Sequence, residues 1–285
     1  MTPSGAGALV TGGGRGLGAG IAGLLARRGL QVHVTDLDAE AAERVAERIG
    51  GGAFASGLDV RDDDAVRRAA TRTAERTDRL AVWVNNAGVL LTGPAWEQDA
   101  EQRRLMLEVN VLGVVSGTVA AIAAMRGTGG GHVVNIASLA GLTAVPGEAV
   151  YAGTKHAVLG FSTSTVADLR LAGIDDIDIS CVCPDGIWTP MLHDKLGDPQ
   201  AALSFSGRLL QPEDVVRAVG KVLDRPRQVA PVPAWRGLVA RFGGTAPQLG
   251  LRALPLVVAQ GRRAQRRLAA QAEERAEHTG QAGPH

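Results

Sequence analysis

Aromatic side chains are scarce in this chain. They make up 3% of its 285 residues, and only one of them is a tyrosine, Tyr151. A chain of this length ordinarily carries several tyrosines in its core and on its surface. The single copy lies in the stretch YAGTK, with Lys155 four residues later. Tyr151 therefore has two possible interpretations, as a residue that packs in the core or as a residue with a chemical role.

Cysteine is also rare. Cys181 and Cys183 are the only two, and they lie two residues apart in a strand-like run, so they share a face and are poorly placed to bond to each other. Two cysteines provide neither a disulfide framework nor the spacing of a metal site. The sequence therefore predicts small buried thiols in a reducing compartment, and no metal.

The chain has no large excess of charge, no long apolar run and no leader pattern. Its 30 basic and 29 acidic residues give a formal net charge of +1, which argues against a general nucleic-acid-binding surface. No apolar run approaches the roughly 18 residues of a membrane span. The start, MTPSGAGALVTGG, lacks a charged and then apolar leader. We therefore expect a soluble, cytoplasmic protein with no nucleic-acid partner.

What is present is an alternation of short apolar runs with longer helical patterns. Apolar residues at three- to four-residue spacing, such as Leu17, Ile21 and Leu24, predict helices between the runs. The strand-like runs are residues 7–11, 31–35, 52–56, 81–85, 132–138 and 177–183. This rhythm predicts an α/β fold with a parallel sheet covered by helices on both faces.

The composition changes toward the C-terminus. Ten of the 13 prolines lie from Pro184 onward, and residues 225–272 contain nine arginines and no acidic residue. We therefore predict a main domain over residues 1–224 and a helical extension over 225–285 that packs on the same domain or on a neighbouring subunit. The run RQVAPVPA is a candidate last strand. Because the extension is basic and amphipathic, association with a membrane surface is the less favoured alternative.

A glycine-rich loop, TGGGRGLG, lies between the first strand and the first helix. Glycines there allow a tight turn and the close approach of a pyrophosphate, and the helix N-terminus offers it free N–H groups. This context favours a dinucleotide site, and simple loop flexibility is the alternative.

Asp36 ends the second strand, 18 residues after Gly18. A carboxylate there can accept hydrogen bonds from both hydroxyls of an adenosine ribose and repels a 2′-phosphate, which favours NAD over NADP. The alternative is an N-cap of the next helix, a position that Asp38 suits better. Arg15 acts in the opposite direction, because a cation near the ribose would attract a 2′-phosphate.

Six motifs occur in the order that is typical of short-chain dehydrogenases/reductases, and the chain resembles that family over residues 5–224. The glycine loop matches TGxxxGxG, and the motifs LDV and NNAG follow the third and fourth strands. Asn110 lies in the helical stretch LEVNVLG, Ser138 precedes Tyr151 by 13 residues, and Tyr151 with Lys155 forms YxxxK. The resemblance implies a Rossmann-type doubly wound parallel sheet and a short-chain alcohol dehydrogenase or ketoreductase that uses NAD.

The same resemblance implies the roles of individual residues. Tyr151 would exchange a proton with the alcohol or ketone, and Ser138 would hydrogen-bond the substrate oxygen. Lys155 would bind the nicotinamide ribose, and Asn110 would hold a water that relays protons. The cofactor contacts that the resemblance implies are Gly12, Gly14, Arg15, Gly16, Leu17, Gly18, Asp36, Leu37, Asp59, Val60, Asn86, Ala87, Gly88, Tyr151, Lys155, Pro184, Ile187 and Thr189.

The chemistry of the pair agrees with these roles. Tyr151 and Lys155 are four residues apart, on one face of a predicted helix. A phenol ionises near about pH 10, too high for a base at neutral pH. A neighbouring ammonium, or the positive nicotinamide of the oxidised cofactor, lowers that pKa. We therefore predict that Tyr151 serves in proton transfer.

The segment CPDGIWTPM departs from the family pattern. Asp185 stands where the family usually has glycine after the proline. This carboxylate is expected either to alter the loop or to bring a negative charge near the nicotinamide. The family's C-terminal Asp-Gly-Gly has no counterpart in the sequence.

The candidate substrate residues follow Ser138, NNAG and the strand-six proline. They are Ser138, Leu139, Leu90, Val145, Tyr151, Trp188, Met191 and Leu192. Most are apolar, which predicts a small apolar alcohol or ketone as substrate. His193 is interpreted as a solvated loop residue.

Three other functions stay open. The first is a sugar-nucleotide dehydratase or epimerase, which also uses YxxxK but has a longer chain. The second is a non-enzymatic NAD-binding regulator, which would not need the catalytic residues. The third is an NADP-dependent ketoreductase, which requires that the effect of Arg15 on cofactor binding outweighs that of Asp36. The family resemblance and the small or apolar residues along helices 101–124 and 150–172 predict a homotetramer or homodimer.

Overall fold

In the part of the chain that the structure describes, seven parallel strands form a single sheet, in which they lie in the order third, second, first, fourth, fifth, sixth and seventh. The structure, a computed structural model, describes residues 5–245 and 247–280. The strands are Gly7–Thr11 (β1), Gln31–Asp36 (β2), Phe54–Gly57 (β3), Leu80–Asn85 (β4), Gly131–Ile136 (β5), Ile177–Pro184 (β6) and Val229–Val232 (β7). The order reverses between β1 and β4, so a crevice opens at their carboxyl ends.

Helices connect the strands and cover both faces of the sheet. The main helices are Gly16–Arg27 (α1), Ala39–Ile49 (α2), Asp63–Arg76 (α3), Ala100–Leu107 (α4), Gly113–Met125 (α5), Ala149–Leu171 (α6), Pro190–His193 (α7) and Pro212–Asp224 (α8). A π-helical turn, Glu108–Leu112, joins α4 to α5, and two 3-10 turns span Leu139–Gly141 and Pro199–Phe205. The predicted doubly wound α/β fold is confirmed.

Aspartates begin three of the helices. Asp38 accepts a hydrogen bond from Ala41 N at 3.0 Å at the start of α2, Asp62 caps α3, and Asp99 forms a capping box at α4. Such caps satisfy N–H groups that have no partner within the helix. Because Asp38 is the cap of α2, Asp36 is free of that task.

Successive strand residues face opposite layers, as the period of a strand requires. Leu9, Trp83 and Val133 point toward α3, α5 and α6, whereas Val10 and Val84 point toward α1 and α8. Both faces of the sheet are therefore buried, which explains the nearly continuous apolar sequence of β1 and β4.

Two predicted boundaries differ from the structure. The third strand begins at Phe54 rather than residue 52, because Gly50, Gly51 and Gly52 all have positive φ, at 63, 60 and 80°, and cannot continue an extended strand. The main domain does not end at residue 224, because β7 pairs with β6 at the edge of the sheet.

The C-terminal extension is helical from Ala234. It consists of Ala234–Thr245 (α9) and Pro247–Gly280 (α10), and the last five residues of the predicted 225–285 segment lie outside the described part of the chain. The inner face of α9 is buried at Gly237 and Ala240. Its outer face leaves four large apolar side chains more than half exposed: Trp235, Leu238, Val239 and Phe242.

One helical stretch, Ala100–Met125, is long and apolar enough by length and composition to span a membrane, with a mean hydropathy of 1.8 in its most apolar window. No apolar stretch of this length was predicted from the sequence. In the fold it forms α4, the π-helical turn and α5, and α5 packs against β4 and β5 in the core. A core helix of a soluble protein gives the same signal.

Candidate active site

The glycine loop lies in the crevice at the carboxyl ends of β1 and β4. Gly12 has φ 61°, and a Cβ atom there would lie 2.9 Å from Ala87 Cα. A Cβ at Gly18 would lie 2.1 Å from the carbonyl oxygen of Gly12. These two positions therefore accept only glycine, and the loop's close turn depends on them.

The N-terminus of α1 opens into the same crevice. Its N-cap, Arg15, is extended and makes no side-chain cap, so the first N–H groups of the helix are available to an anion. A Cβ at Gly16 would have its nearest neighbours, Thr189 and Pro190, 3.9 Å away. The glycine loop thus faces the loop that follows β6 across a narrow gap. The buried side of α1, with Leu17, anchors it to the sheet.

Two carboxylates lie farther along this edge of the sheet. Asp36 accepts a hydrogen bond from Gly14 N at 2.9 Å, which fixes it beside the glycine loop. Leu37 next to it is exposed. Asp59 is paired with Arg61, whose hydrogen bonds hold the pKa of Asp59 below its ordinary value. Asp36 ends β2, and Asp59 follows the end of β3.

The NNAG segment is tied to the glycine loop by side-chain hydrogen bonds. Asn86 Nδ2 donates to the carbonyl oxygens of Thr11 and Gly12 at 3.0 and 2.9 Å. Thr11 Oγ1 accepts from Ala87 N at 3.1 Å. After β3, the Val60 side chain packs against Gly113 at the start of α5. A Cβ atom at Gly113 would lie 2.8 Å from Val60 Cγ2. The backbone floor of the crevice is therefore rigid.

Tyr151 and Lys155 project from the same face of α6, as predicted. Lys155 Nζ lies 5.5 Å from the centre of the Tyr151 ring and donates to the carbonyl oxygen of Ile136 at 3.1 Å. A Cβ at Gly88 would lie 3.8 Å from Lys155 Nζ and 3.2 Å from Asn110 Oδ1. The lysine therefore lies between the tyrosine and the backbone floor of the crevice.

Ser138 completes this group at the end of β5. Its hydroxyl donates to the carbonyl oxygen of Pro184 at 3.4 Å and accepts from Ala140 N. Its interaction with the Tyr151 phenol lowers the pKa of that phenol. Ser138 thus lies between Tyr151 and the loop after β6.

The expected lowering of the Tyr151 pKa does not arise from the protein alone. Burial raises the pKa of this phenol, and the nearby Glu148 raises it further. Burial lowers the pKa of Lys155 to about 8, so its amine is still mostly charged at pH 7. Because burial disfavours the phenolate, Tyr151 stays protonated in the free protein.

Asn110 lies in the π-helical turn rather than in a regular helix. Its amide donates to the carbonyl oxygen of Val89 and accepts from Val89 N, both at 2.8 Å. This exchange fixes the segment that follows NNAG. π-helical turns occur frequently at functional sites because the extra residue leaves backbone groups unpaired within the helix.

Among the predicted substrate residues, Val145 packs with Tyr151, whereas Trp188 and Leu192 pack in a separate cluster. Leu90, Leu139, Val145 and Leu192 are buried, Trp188 is partly buried, and Met191 is exposed. The interpretation of His193 as solvated is wrong, because its ring packs at 59° to the ring of Trp188, with centroids 4.0 Å apart, and its Nε2 is buried.

The burial of Glu148 and the ion pair of Asp185 with Arg236 were not expected from the sequence. Glu148, 2% exposed, accepts a hydrogen bond from Ser204 Oγ at 2.6 Å, and burial raises its pKa to about 7. Asp185 does not present a free charge to the crevice, since Arg236 Nε of α9 donates to it at 2.8 Å. The only sequence signal for Glu148 was its position three residues before Tyr151. No sequence signal linked Asp185 to Arg236, which lies 51 positions later.

The strand order, its reversal and the glycine loop define a Rossmann-type α/β protein. The sequence model of the family described as short chain dehydrogenase matches residues 6–200 of the chain. The chain belongs to the short-chain dehydrogenase/reductase family and is an oxidoreductase of that family.

The chain is also similar to individual proteins. It is 37% identical to a cyclopentanol dehydrogenase of Comamonas sp. (strain NCIMB 9872) over 219 residues. The aligned region covers 74% of this chain and 86% of the relative. Among solved structures it resembles a short-chain dehydrogenase/reductase from Burkholderia phymatum in complex with NAD, with a TM-score of 0.78, 26% identity and 88% and 97% coverage. A 3-ketoacyl-(acyl-carrier-protein) reductase from Brucella melitensis complexed with NADH gives a TM-score of 0.71, 28% identity and 80% and 97% coverage.

Proposed function

We propose that this protein interconverts a secondary alcohol and a ketone, with NAD as the preferred cofactor and with an apolar, alicyclic compound as substrate. The observation that carries the proposal is the convergence of Ser138, Tyr151 and Lys155 beside the crevice between β1 and β4. These are a hydroxyl, a phenol and an ammonium, which suit proton exchange at a carbonyl or alcohol oxygen.

The crevice fits a dinucleotide in three respects. Glycine is required at two turns where the backbone closes on itself, the start of α1 has no side-chain cap, and Asp36 lies at the end of β2 beside the loop. The NAD and NADH named for the two similar structures support the same cofactor class. When bound, the cofactor supplies the hydride acceptor or donor.

The chain's own groups handle the proton. The Tyr151 phenol is protonated in the free protein, so it can donate to a ketone oxygen directly. In the oxidation direction it must accept the alcohol proton, and the Lys155 ammonium stabilises the resulting phenolate. Ser138 Oγ holds the substrate oxygen, and Asn110 fixes the segment after NNAG beside Lys155.

The substrate class rests on the side chains around Tyr151. Val145 and Leu203 pack against the tyrosine ring, and the buried Leu90, Leu139 and Leu192 offer apolar surface. The cyclopentanol dehydrogenase among the relatives supports an alicyclic alcohol.

A two-cofactor screen tests this proposal. The purified protein is assayed with NAD and NADP against cyclopentanol, cyclohexanol, a linear secondary alcohol and a sugar alcohol, by the absorbance of the reduced cofactor. We expect turnover with NAD and a preference for the cyclic alcohols. Turnover with the sugar alcohol alone, or binding of NAD with no turnover of any alcohol or ketone, would contradict the proposal.

A further inference from the structure

The loop between β6 and α8 covers the site. We call residues 185–210 the cap segment. Its 3-10 turn places Leu203 against Tyr151 and Val145, and Ser204 donates to Glu148. Its first residues include Thr189 and Pro190, which lie nearest to Gly16 of the glycine loop. The position of this segment therefore determines the shape of both the cofactor crevice and the substrate site.

The first contact between the extension and the cap segment is an ion pair. Arg236 Nε on α9 donates to Asp185 Oδ2 at 2.8 Å, and its Nη2 approaches Ser206 Oγ at 3.4 Å. The side chains of Arg236 and Asp185 are only 23% and 12% exposed. A pair this sheltered is screened little by solvent, so losing either partner leaves a charge without compensation. Arg236 thus connects both ends of the cap segment to α9.

The second contact comes from α10. Gln265 is buried, and its Nε2 donates to the carbonyl oxygens of Lys195 and Asp198 at 2.7 Å each. A Cβ at Gly261 would lie 1.9 Å from the carbonyl oxygen of Ala202. Only glycine permits this approach, so α10 is seated directly on the middle of the cap segment.

We propose that the C-terminal extension holds the cap segment in place over the site, and that Asp185, Arg236 and Gln265 are the positioning residues that do so. The two contacts come from different helices and meet the same segment at its ends and at its centre. None of the three residues touches Tyr151 or Ser138 in the structure, so each acts through the cap segment. The site affected is the one assigned under the proposed function, on which the kinetic part of this inference rests.

The cap segment contains two bonds that trypsin can cleave, after Lys195 and after Arg208. Cleavage requires local opening of the backbone, and its rate follows the population of the open form when reclosing is fast. We therefore expect Arg236→Met and Gln265→Met to be cut at these bonds about tenfold faster than the parent, the change that corresponds to about 1.4 kcal/mol in the opening equilibrium. Mass spectrometry of the fragments identifies the bonds. This readout does not depend on turnover, so it distinguishes failure of this inference from failure of the proposed function.

Matched controls exist on the same helices. Arg241 of α9 and Gln260 of α10 are exposed, so Arg241→Met and Gln260→Met repeat the substitutions outside the contacts and should leave both cleavage rates unchanged. If Arg236→Met does not fold, the double variant Asp185→Asn/Arg236→Met removes both charges and should still open the cap segment. Equal cleavage rates in the parent, Gln265→Met and this double variant would overturn the proposal.

Kinetics give a second arm. If the pair holds the cap segment, Asp185→Asn and Arg236→Met should each raise KM for the substrate about tenfold with a smaller change in kcat, and the double variant should be no worse than the poorer single one. A purely stabilising pair would lower the melting temperature and leave KM unchanged in the folded fraction. Unchanged KM together with unchanged trypsin cleavage would refute the inference.

Discussion

At the scale of single residues, the proposed preference for NAD over NADP depends on Asp36. Its carboxylate is oriented by the hydrogen bond from Gly14 N and would repel a 2′-phosphate. We expect Asp36→Ser to lower the ratio of kcat/KM for NAD to that for NADP by about tenfold or more. Asp38→Ser is the control, because serine keeps the N-cap of α2 and should leave the ratio unchanged. A parent that already prefers NADP would show that Arg15 outweighs Asp36.

Glu148 adds a pH dependence to stability. Burial raises its pKa from 4.5 to about 7 in the folded state, so the native protein binds this proton more tightly than the unfolded chain. Stability from this group is therefore present at low pH and is lost as pH rises from about 4.5 through about 7. At pH 8 the penalty reaches roughly 3 kcal/mol as an upper limit, at about 1.4 kcal/mol per pKa unit.

Glu148→Gln removes this penalty while its amide oxygen can still accept from Ser204. We expect the variant to melt higher than the parent at pH 8 and close to the parent at pH 5. His33 and His132, whose pKa values burial lowers to about 3 and about 4, destabilise both proteins alike in acid, so the comparison isolates Glu148. A difference in melting temperature that does not vary with pH would exclude this assignment.

Site residues that belong to recognisable local patterns could be predicted from the sequence. Residues whose role depends on tertiary contacts could not. The i, i+4 spacing places Tyr151 and Lys155 on one face of α6, and the family resemblance identified Ser138, which follows β5 and interacts with the Tyr151 phenol. Asp185 was visible only as an unusual residue. Its partner Arg236 could not be predicted, because the pair is formed by the packing of α9 on the loop after β6 and by no local spacing.

At the scale of elements, the turn from β1 into α1 depends on Gly18. A Cβ there would lie 2.1 Å from the carbonyl oxygen of Gly12, so Gly18→Ala must displace the loop. We expect this variant to lose NAD binding by about tenfold or more in titration calorimetry. Gly23→Ala in the same helix would meet only the end of the flexible Arg27 side chain, so it should bind NAD normally and gain a little stability. Normal binding by Gly18→Ala would contradict the role of the loop.

Elements with strong periodicity were predicted well, and irregular ones were not. The predicted runs for β1, β2, β4, β5 and β6 each begin within one residue of the strand in the structure. The π-helical turn around Asn110 was invisible, because one inserted residue in a nearly continuous apolar helix does not change its pattern. The start of β3 was misplaced because the backbone angles of three glycines, and not hydrophobicity, decide where the strand begins.

At the scale of the whole molecule, the helical face around α4, α5 and α6 is the predicted oligomer contact. Leu107, Leu112 and Val119 remain about half exposed there, more large apolar surface than a monomer ordinarily leaves together. We expect light scattering to give a dimer or tetramer at micromolar concentration, and Val119→Glu to shift it toward the monomer. Leu238→Glu, on the outer face of α9, is the control. A parent mass of 29.4 kDa would rule the oligomer out.

Turnover by the Tyr151→Phe variant with saturating NAD and a secondary alcohol is the most direct test of the catalytic assignment. Phenylalanine keeps the ring that packs against Val145 and Leu203 and removes only the hydroxyl that exchanges the proton. The predicted result is NAD affinity within about twofold of the parent and a loss of about 10²–10⁴-fold in kcat. A variant that turns over within about a factor of two of the parent would show that Tyr151 is not the acid and base of this enzyme.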